Sequence, residues 1–145
     1  MEKRRYYVDS CIWLNLFKKG GDASRGKPYW EIAEEFVEWV IHSADSEIIY
    51  SGIVLKEIKF KLPSELDSNE KEAYLKREFT PVRVTEEDKA FARKLEAESN
   101  YQISFYDCIH IAICFRLALI LVTRDKSLLV FARRYIMAEK PENLI

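Results

Sequence analysis

Four acidic residues stand where a folded chain would bring carboxylates to one place. Asp9 follows the apolar run Tyr6-Tyr7-Val8, and Asp125 lies two residues beyond Thr123, the end of the apolar run that starts at Leu119. Glu57 falls about one and a half helical turns after Ser51. Asp107 is the one charge in Ser104-Phe-Tyr-Asp-Cys-Ile-His-Ile-Ala-Ile-Cys-Phe115, apolar on nearly every face. A helix hydrophobic all round belongs in the middle of a domain. An ionised carboxylate there is costly unless a cation, a metal or several donors compensate it. Carboxylates that converge also repel one another, and protons or divalent cations relieve that repulsion. Hard oxygen ligands suit Mg²⁺ or Mn²⁺, and such an ion can activate water and stabilise charge on a phosphodiester. The chemistry indicated is metal-dependent nuclease chemistry.

Each acid also has a simpler structural explanation. Ser104-x-x-Asp107 fits a capping box, in which Asp107 satisfies backbone N–H groups, and capping and metal binding can hold together. Thr85-x-x-Asp88 shows the same pattern, and there capping suffices. Asp9 and Asp125 each fit the N-cap of a following helix. Glu57, between Lys56 and Ile58, fits a surface or salt-bridge residue. A shared site replaces four separate coincidences. His110 follows Asp107 by three residues and shares its face with Ser104; it could orient a carboxylate or touch a substrate, although a lone histidine in an apolar helix is more often a satisfied core residue. Cys11 and Cys108 neighbour the acids, but adjacent helical residues point about 100° apart, so both are read as packing.

The elements that must position these residues alternate. Tyr6–Val8, Glu47–Tyr50, Thr80–Val84 and Leu119–Thr123 read as strands, the third with a proline that favours an edge or a strand start. The fourth is continuously apolar, as in a parallel sheet covered on both faces. Helical segments run over Ile12–Lys19, Tyr29–Ser43, Ile53–Leu62, Ser68–Arg77, Thr85–Ser99, Ser104–Leu117 and Lys126–Tyr135, and the tail Ile136–Ile145 offers a fifth short strand. Gly20–Gly26 holds three of the four glycines and reads as the one flexible loop, closed by Pro28 at a helix start. The alternation predicts an α/β fold, a three-layer α/β/α sandwich around a mostly parallel sheet of four or five strands, with residues 1–145 as a single domain. In such sheets ligands bind beyond the carboxyl ends of the strands, the end at which Asp9, Ser51 and Asp125 fall.

Composition narrows the class. With 145 residues, 48% hydrophobic and 32% charged, the chain reads as an ordinary soluble globular protein. No apolar run approaches the roughly 20 residues that span a membrane. The start, Met1 to Asp9, lacks the apolar segment of a signal peptide, so the expected location is the cytoplasm. Three cysteines without a C-x-x-C pair argue against disulfides or structural zinc. The net charge of −1 gives no global signature of nucleic-acid binding. Local clusters (Lys3-Arg4-Arg5, Lys56/Lys59/Lys61, Arg124/Lys126, Arg133-Arg134) would have to meet any polyanion, and each is more commonly a solvated face.

The motifs Val8-Asp9-Ser10-Cys11-Ile12-Trp13-Leu14, Ser51-Gly-Ile-Val-Leu-Lys-Glu57, Ser104-Phe-Tyr-Asp107-Cys-Ile-His-Ile-Ala112, Leu121-Val-Thr-Arg-Asp125 and Pro141-Glu-Asn-Leu144 together resemble the PIN-domain ribonucleases. That family includes VapC-like toxins of VapBC toxin–antitoxin systems. Each motif is weak alone; their order and spacing over almost the whole chain are fairly specific. The resemblance implies an α/β/α sandwich that binds Mg²⁺ or Mn²⁺ and cleaves RNA, with Asp9, Glu57, Asp107 and Asp125 as the acidic quartet. Asp9 and Asp107 would be the direct metal ligands, Asp125 and Glu57 completing the site directly or through water, and Ser10 and Thr123 supporting it. Gly20–Gly26 and Ser64–Arg77 would tune substrate choice. Implied partners are an RNA substrate, a small antitoxin and a second copy in a homodimer; Trp13 and Phe17 could line a groove for either protein or belong to the core. The alternative reading is a non-catalytic RNA- or protein-binding module on the same scaffold. A haloacid-dehalogenase-type phosphohydrolase also places an aspartate after its first strand, but wants a second acid where this chain has Cys11.

Overall fold

The computed structural model describes residues 3–145; Met1 and Glu2, part of the start read above for a signal peptide, lie outside the described residues. Five parallel strands form the central sheet: β1 (Arg4–Val8), β4 (Ser46–Ser51), β5 (Thr80–Val82), β6 (Ile120–Val122) and β7 (Ala138–Glu139), in the spatial order β5-β4-β1-β6-β7. The chain builds outward from β1 to β4 and β5, then returns to β1's other edge for β6 and β7. The order of winding therefore reverses between β1 and β6, which is where a doubly wound sheet opens its crevice.

Strand alternation sorts the helices onto two faces. Tyr6 packs edge-on against Phe36 of α2 (Tyr29–Ile41), while its neighbour Tyr7 meets His110 of α6 (Phe105–Leu117). Successive strand residues point to opposite faces, so α2 and α6 cover opposite sides and the sheet is the middle of three layers. Helix α1 (Ser10–Lys18) packs with α2, α3 (Gly52–Lys61) joins α1 and α4 (Ser68–Glu78), and α5 (Glu86–Glu98) packs along α6. Helix α7 (Lys126–Ala132) leads into β7. None of the described helices is long and apolar enough to cross a membrane.

The expected elements are present, including the tail strand β7 and the proline-bearing β5 at the sheet's edge. One segment differs. Gly20–Gly26, read as a flexible loop, supplies the first strand and the turn of a hairpin, β2 (Ala23–Ser24) paired with β3 (Lys27–Pro28) just beyond it, turned by Arg25 and Gly26, both at positive φ. That is the turn geometry that matches strand twist. The hairpin is tied to the chain's end by Ser24 Oγ to Glu142, Arg25 to the Glu142 carbonyl and Arg25 to Asn143. At Gly21 (φ 101°) a Cβ would lie 2.5 Å from that of Tyr29. Trp13 is fully buried, stacked on Phe17 and flanked by Tyr74 and Phe79, so it is core. The three cysteines are free thiols.

The α5–α6 pair is locked by a buried charge. Thr85 and Asp88 form a complete capping box at the start of α5, and the Asp88 carboxylate also takes two hydrogen bonds from Arg116 of α6, both 2.9 Å. Asp88 is 2% exposed. Burial alone would raise its pKa, but the Arg116 and Thr85 hydrogen bonds outweigh that and hold it below the ordinary carboxylate range. A carboxylate with a depressed folded pKa stabilises the fold above its unfolded pKa, and the contribution vanishes as pH falls through the folded value. Asp88→Asn is therefore expected to cost about 1–3 kcal/mol at pH 7, the lower part of that range being favoured because Arg116 keeps some solvent access. Urea unfolding of both proteins should show the gap closing as pH drops below about 4; a gap that stays constant down to pH 3 would exclude the ionic contribution.

Candidate metal centre

The site assembles from the ends of β1 and β6, the starts of α1, α6 and α7, and the middle of α3. Val8 ends β1 and Asp9 becomes the N-cap of α1, its Oδ1 accepting from the Ser10 N–H at 2.8 Å. The Asp9 N–H donates to the Val122 carbonyl at 2.9 Å, extending the β1–β6 ladder by one residue. Thr123 Oγ donates to Asp9 Oδ2 at 2.7 Å, and the thiol of Cys11 does so at 3.3 Å. Asp9 is thus buried and fixed from three directions. Cys11, expected only to pack, touches the carboxylate because Asp9 caps the helix rather than belonging to it, so the 100° separation does not apply. Burial raises the Cys11 pKa, followed by the Asp9 charge, and keeps the thiol protonated as a donor.

On the opposite wall, α6 brings His110 and Asp107 to the same opening. His110 is fully buried, with Nδ1 2.6 Å from the Tyr7 hydroxyl and Nε2 2.8 Å from Glu57 Oε1. Tyr7 OH is in turn 2.6 Å from Ser51 Oγ. Burial alone would lower the His110 pKa, but the Glu57 hydrogen bond and the charges of Asp9, Glu57 and Asp107 outweigh it and raise it. The histidine is therefore both of the things read from sequence: a satisfied core residue and the group that orients Glu57. Tyr7 and Ser51 were not singled out as site residues. The signal for Tyr7 is its two-residue spacing from Asp9, which puts both on one side of the strand.

Ser104 accepts from the Asp107 N–H at 3.2 Å, so half of the capping box is present. The return bond that Asp88 makes to Thr85 has no counterpart here: among the described residues the Asp107 carboxylate accepts no hydrogen bond. Its pKa is raised to about 6, first by burial and then by the Asp9 charge, with smaller contributions from Glu57 and Asp125 partly offset by His110. All four acids therefore lie within one electrostatic field. Asp125 is the most peripheral: it is exposed, it caps α7 through Leu128 N–H at 3.1 Å, and its own N–H donates to Thr123 Oγ at 3.2 Å.

One oxygen or nitrogen from each of Asp9, Asp107 and His110 lies within 4.8 Å of the others, a spacing that can hold a cation. Both His110 nitrogens already face partners, Tyr7 and Glu57, so the available donors are the carboxylate oxygens of Asp9 and Asp107. These are hard ligands, that of Asp107 without a hydrogen-bond donor among the described residues, and they fit a divalent ion such as Mg²⁺ or Mn²⁺ better than a softer metal. Arg124, one of the local basic clusters, is not free to serve here. It forms a two-pronged ion pair with Glu142 (2.9 and 2.8 Å) and lies 3.8 Å from the Tyr29 ring centre.

Comparison with known proteins agrees with this fold. The PIN domain family model matches residues 6–134, and the chain belongs to that family. Among solved structures, VapBC2 from Rickettsia felis bound to a promoter DNA fragment superposes with a TM-score of 0.68 at 16% identity, covering 94% of this chain and 98% of that one. VapBC-1 from nontypeable Haemophilus influenzae gives 0.67 at 14% identity, covering 95% and 98%. PAE2754 from Pyrobaculum aerophilum gives 0.62 at 20% identity, covering 99% and 95%. At these identities the likeness establishes the fold. No curated protein sequence matches the chain.

A raised carboxyl pKa means that folding is less favourable with Asp107 ionised than with it protonated, unless a cation is bound. The folded state binds the extra proton between about pH 4 and 6, so stability falls as pH rises through that window and stays low above it. In chelator, Asp107→Asn is expected to stabilise the protein by about 1–3 kcal/mol at pH 7.5, with the gain disappearing below about pH 4. Thermal or urea unfolding across that range checks it; a destabilised Asn variant at pH 7.5 would contradict the uncompensated charge.

Proposed function

We propose that this protein is a metal-dependent endoribonuclease whose site comprises Asp9, Glu57, Asp107 and Asp125, and that it acts as the toxin of a VapBC-type pair in the cytoplasm. The observation that carries the reading is the Asp107 carboxylate: half-buried, without a hydrogen-bond partner among the described residues, and surrounded by three other acids at the switch point of a PIN fold. Asp9 and Asp107 would hold Mg²⁺ or Mn²⁺, with Asp125 and Glu57 completing the shell directly or through water. When bound, such an ion lowers the pKa of a coordinated water and neutralises charge on the phosphodiester. The chain's own groups do the rest. Thr123, Cys11 and the Ser10 N–H fix Asp9. His110 holds Glu57 Oε1, which leaves Oε2 to accept a proton from an attacking water. The toxin role draws support from the solved neighbours, which include toxin–antitoxin complexes, and it names a small antitoxin as partner.

Asp107→Asn tests the chemistry with little risk to the fold, since the same change relieves repulsion. RNA cleavage is expected to fall at least about a hundredfold while the metal-free protein unfolds no earlier than wild type. EDTA should abolish wild-type cleavage, and added Mn²⁺ should restore it. Undiminished turnover in the variant or in EDTA would overturn the proposal. RNA binding without turnover, together with no Mg²⁺ or Mn²⁺ binding in calorimetry, would establish the non-catalytic module instead.

A further inference from the structure

Thr123, Arg124 and Asp125 join β6 to α7 and belong to neither, so no regular element fixes their conformation. Each nevertheless reaches the metal centre. Thr123 Oγ donates to Asp9 and accepts from the Asp125 N–H. The Arg124 N–H donates to Cys11 Sγ at 3.5 Å, and that thiol donates to Asp9. The tripeptide is the frame on which Asp9 and Asp125 are set relative to each other, and groups outside it must hold it. The segment Glu139–Glu142 does so at two points. The Thr123 N–H donates to the Glu139 carbonyl at 3.1 Å. One residue on, both Nη groups of Arg124 donate to the Glu142 carboxylate at 2.9 and 2.8 Å, and the guanidinium stacks 3.8 Å from the Tyr29 ring centre at the start of α2. Glu142 is backed in turn by the β2–β3 hairpin, through Ser24 Oγ on its carboxylate and Arg25 on its carbonyl. Hairpin, α2 and the short turn Pro141–Asn143 thus converge on one guanidinium.

Stability alone does not account for this arrangement. The Arg124 and Glu142 side chains are only 11% and 9% exposed. Taking two charges out of water is offset only where hydrogen bonding is complete, and a hydrophobic pair of similar volume is often at least as stable. Here the bonding is incomplete: Arg124 Nε is buried without a partner among the described residues, which is itself unfavourable. What a fork of two charged hydrogen bonds supplies, and a hydrophobic contact does not, is a fixed direction. We propose that Glu142, acting through Arg124, is a positioning residue for the metal centre: it fixes the Thr123–Asp125 frame and thereby the placement of Asp9 and Asp125 around the cation. The inference rests on the nuclease reading above for its catalytic consequence. It also gives the hairpin at Gly20–Gly26 a use, since that hairpin is what holds Glu142 in place.

The double change Arg124→Met with Glu142→Leu separates positioning from stability. It removes the fork but keeps the volume filled, so the protein is expected to unfold no earlier than wild type. Calorimetric titration with Mn²⁺, without RNA, should show affinity weakened about tenfold, as the loss of a group supporting a ligand does elsewhere. At saturating Mn²⁺, kcat for RNA should fall about tenfold with KM within about twofold. In the metal-free protein, amide hydrogen exchange followed by NMR should quicken about tenfold at Thr123 and Asp125 and stay unchanged at Tyr7 within β1. Glu142→Gln is the second variant, with nearly the same shape. Its amide nitrogen would face one of the Arg124 donors, so it should lose a similar amount of Mn²⁺ affinity while unfolding earlier than wild type. The proposal is overturned if the folded double variant binds Mn²⁺ and turns over RNA like wild type, if its Thr123 and Asp125 amides exchange like wild type, or if it recovers both the stability and the affinity that Glu142→Gln loses. Any of these makes the pair structural only, and leaves the nuclease reading intact. A wild type that binds no Mn²⁺ removes the nuclease reading instead, while faster exchange at Thr123 and Asp125 in the double variant still keeps the positioning role.

Discussion

The hydrogen bond from the Asp9 N–H to the Val122 carbonyl continues the β1–β6 ladder one residue beyond the end of β1, and the site depends on it. It places Asp9 at the join between the two halves of a doubly wound sheet, where the helices diverge and a crevice opens. It also brings Thr123 within 2.7 Å of the Asp9 carboxylate, and the same Thr123 oxygen accepts from the Asp125 N–H. One pair of neighbouring strands thereby sets two of the four acids relative to each other. The cap of α1 and the cap of α7 are consequences of that placement, since each helix begins where its strand ends.

Compensation of charge divides the acids of this chain into two kinds. Asp88 and Glu142 are buried but fully answered, Asp88 by Arg116 and the Thr85 cap, Glu142 by the fork of Arg124 and by Ser24. Their pKa values lie below the ordinary range, and they stabilise the fold. Asp107 lies above it and does not. His110 is the one nearby group whose charge offsets Asp107, and its ring nitrogens are engaged by Tyr7 and Glu57. The same physics that makes the first pair structural makes Asp107 a position where the fold tolerates repulsion, which is the expected mark of a site kept for chemistry.

Periodicity alone located most of the architecture. The continuous apolar run at Leu119–Thr123 identified a strand covered on both faces, and Thr85-x-x-Asp88 marked a helix start that forms the full box. Asp9 and Asp125 stand in the sequence as acids that follow strands and Asp107 as one that opens a helix, whereas Glu57 lies in the middle of α3 and has no such local mark. Less was legible where a contact joins residues far apart in the chain. His110 and Glu57 are 53 residues apart, and Tyr7 and His110 are 103 apart; no local pattern specifies either pair. Gly20–Gly26 misled in the other direction. Its glycines signalled conformational freedom, but Arg25 and Gly26 use that freedom for a hairpin turn that Glu142 and Asn143 hold from the far end of the chain.

The same division between answered and unanswered charge applies to the cations and gives the surface its polarity. Arg116 and Arg124 have planar heads suited to two-pronged pairing with a carboxylate, and both are committed to buried acids. Lys56 and Lys61 of α3 form no ion pair among the described residues and line a cleft beside the acidic centre rather than the core. A net charge of −1 conceals this arrangement, because it averages the acids of the crevice with the lysines that stand beside them. The short helix α3 thus carries Glu57 toward the centre, where His110 holds it, with Lys56 and Lys61 on either side of it.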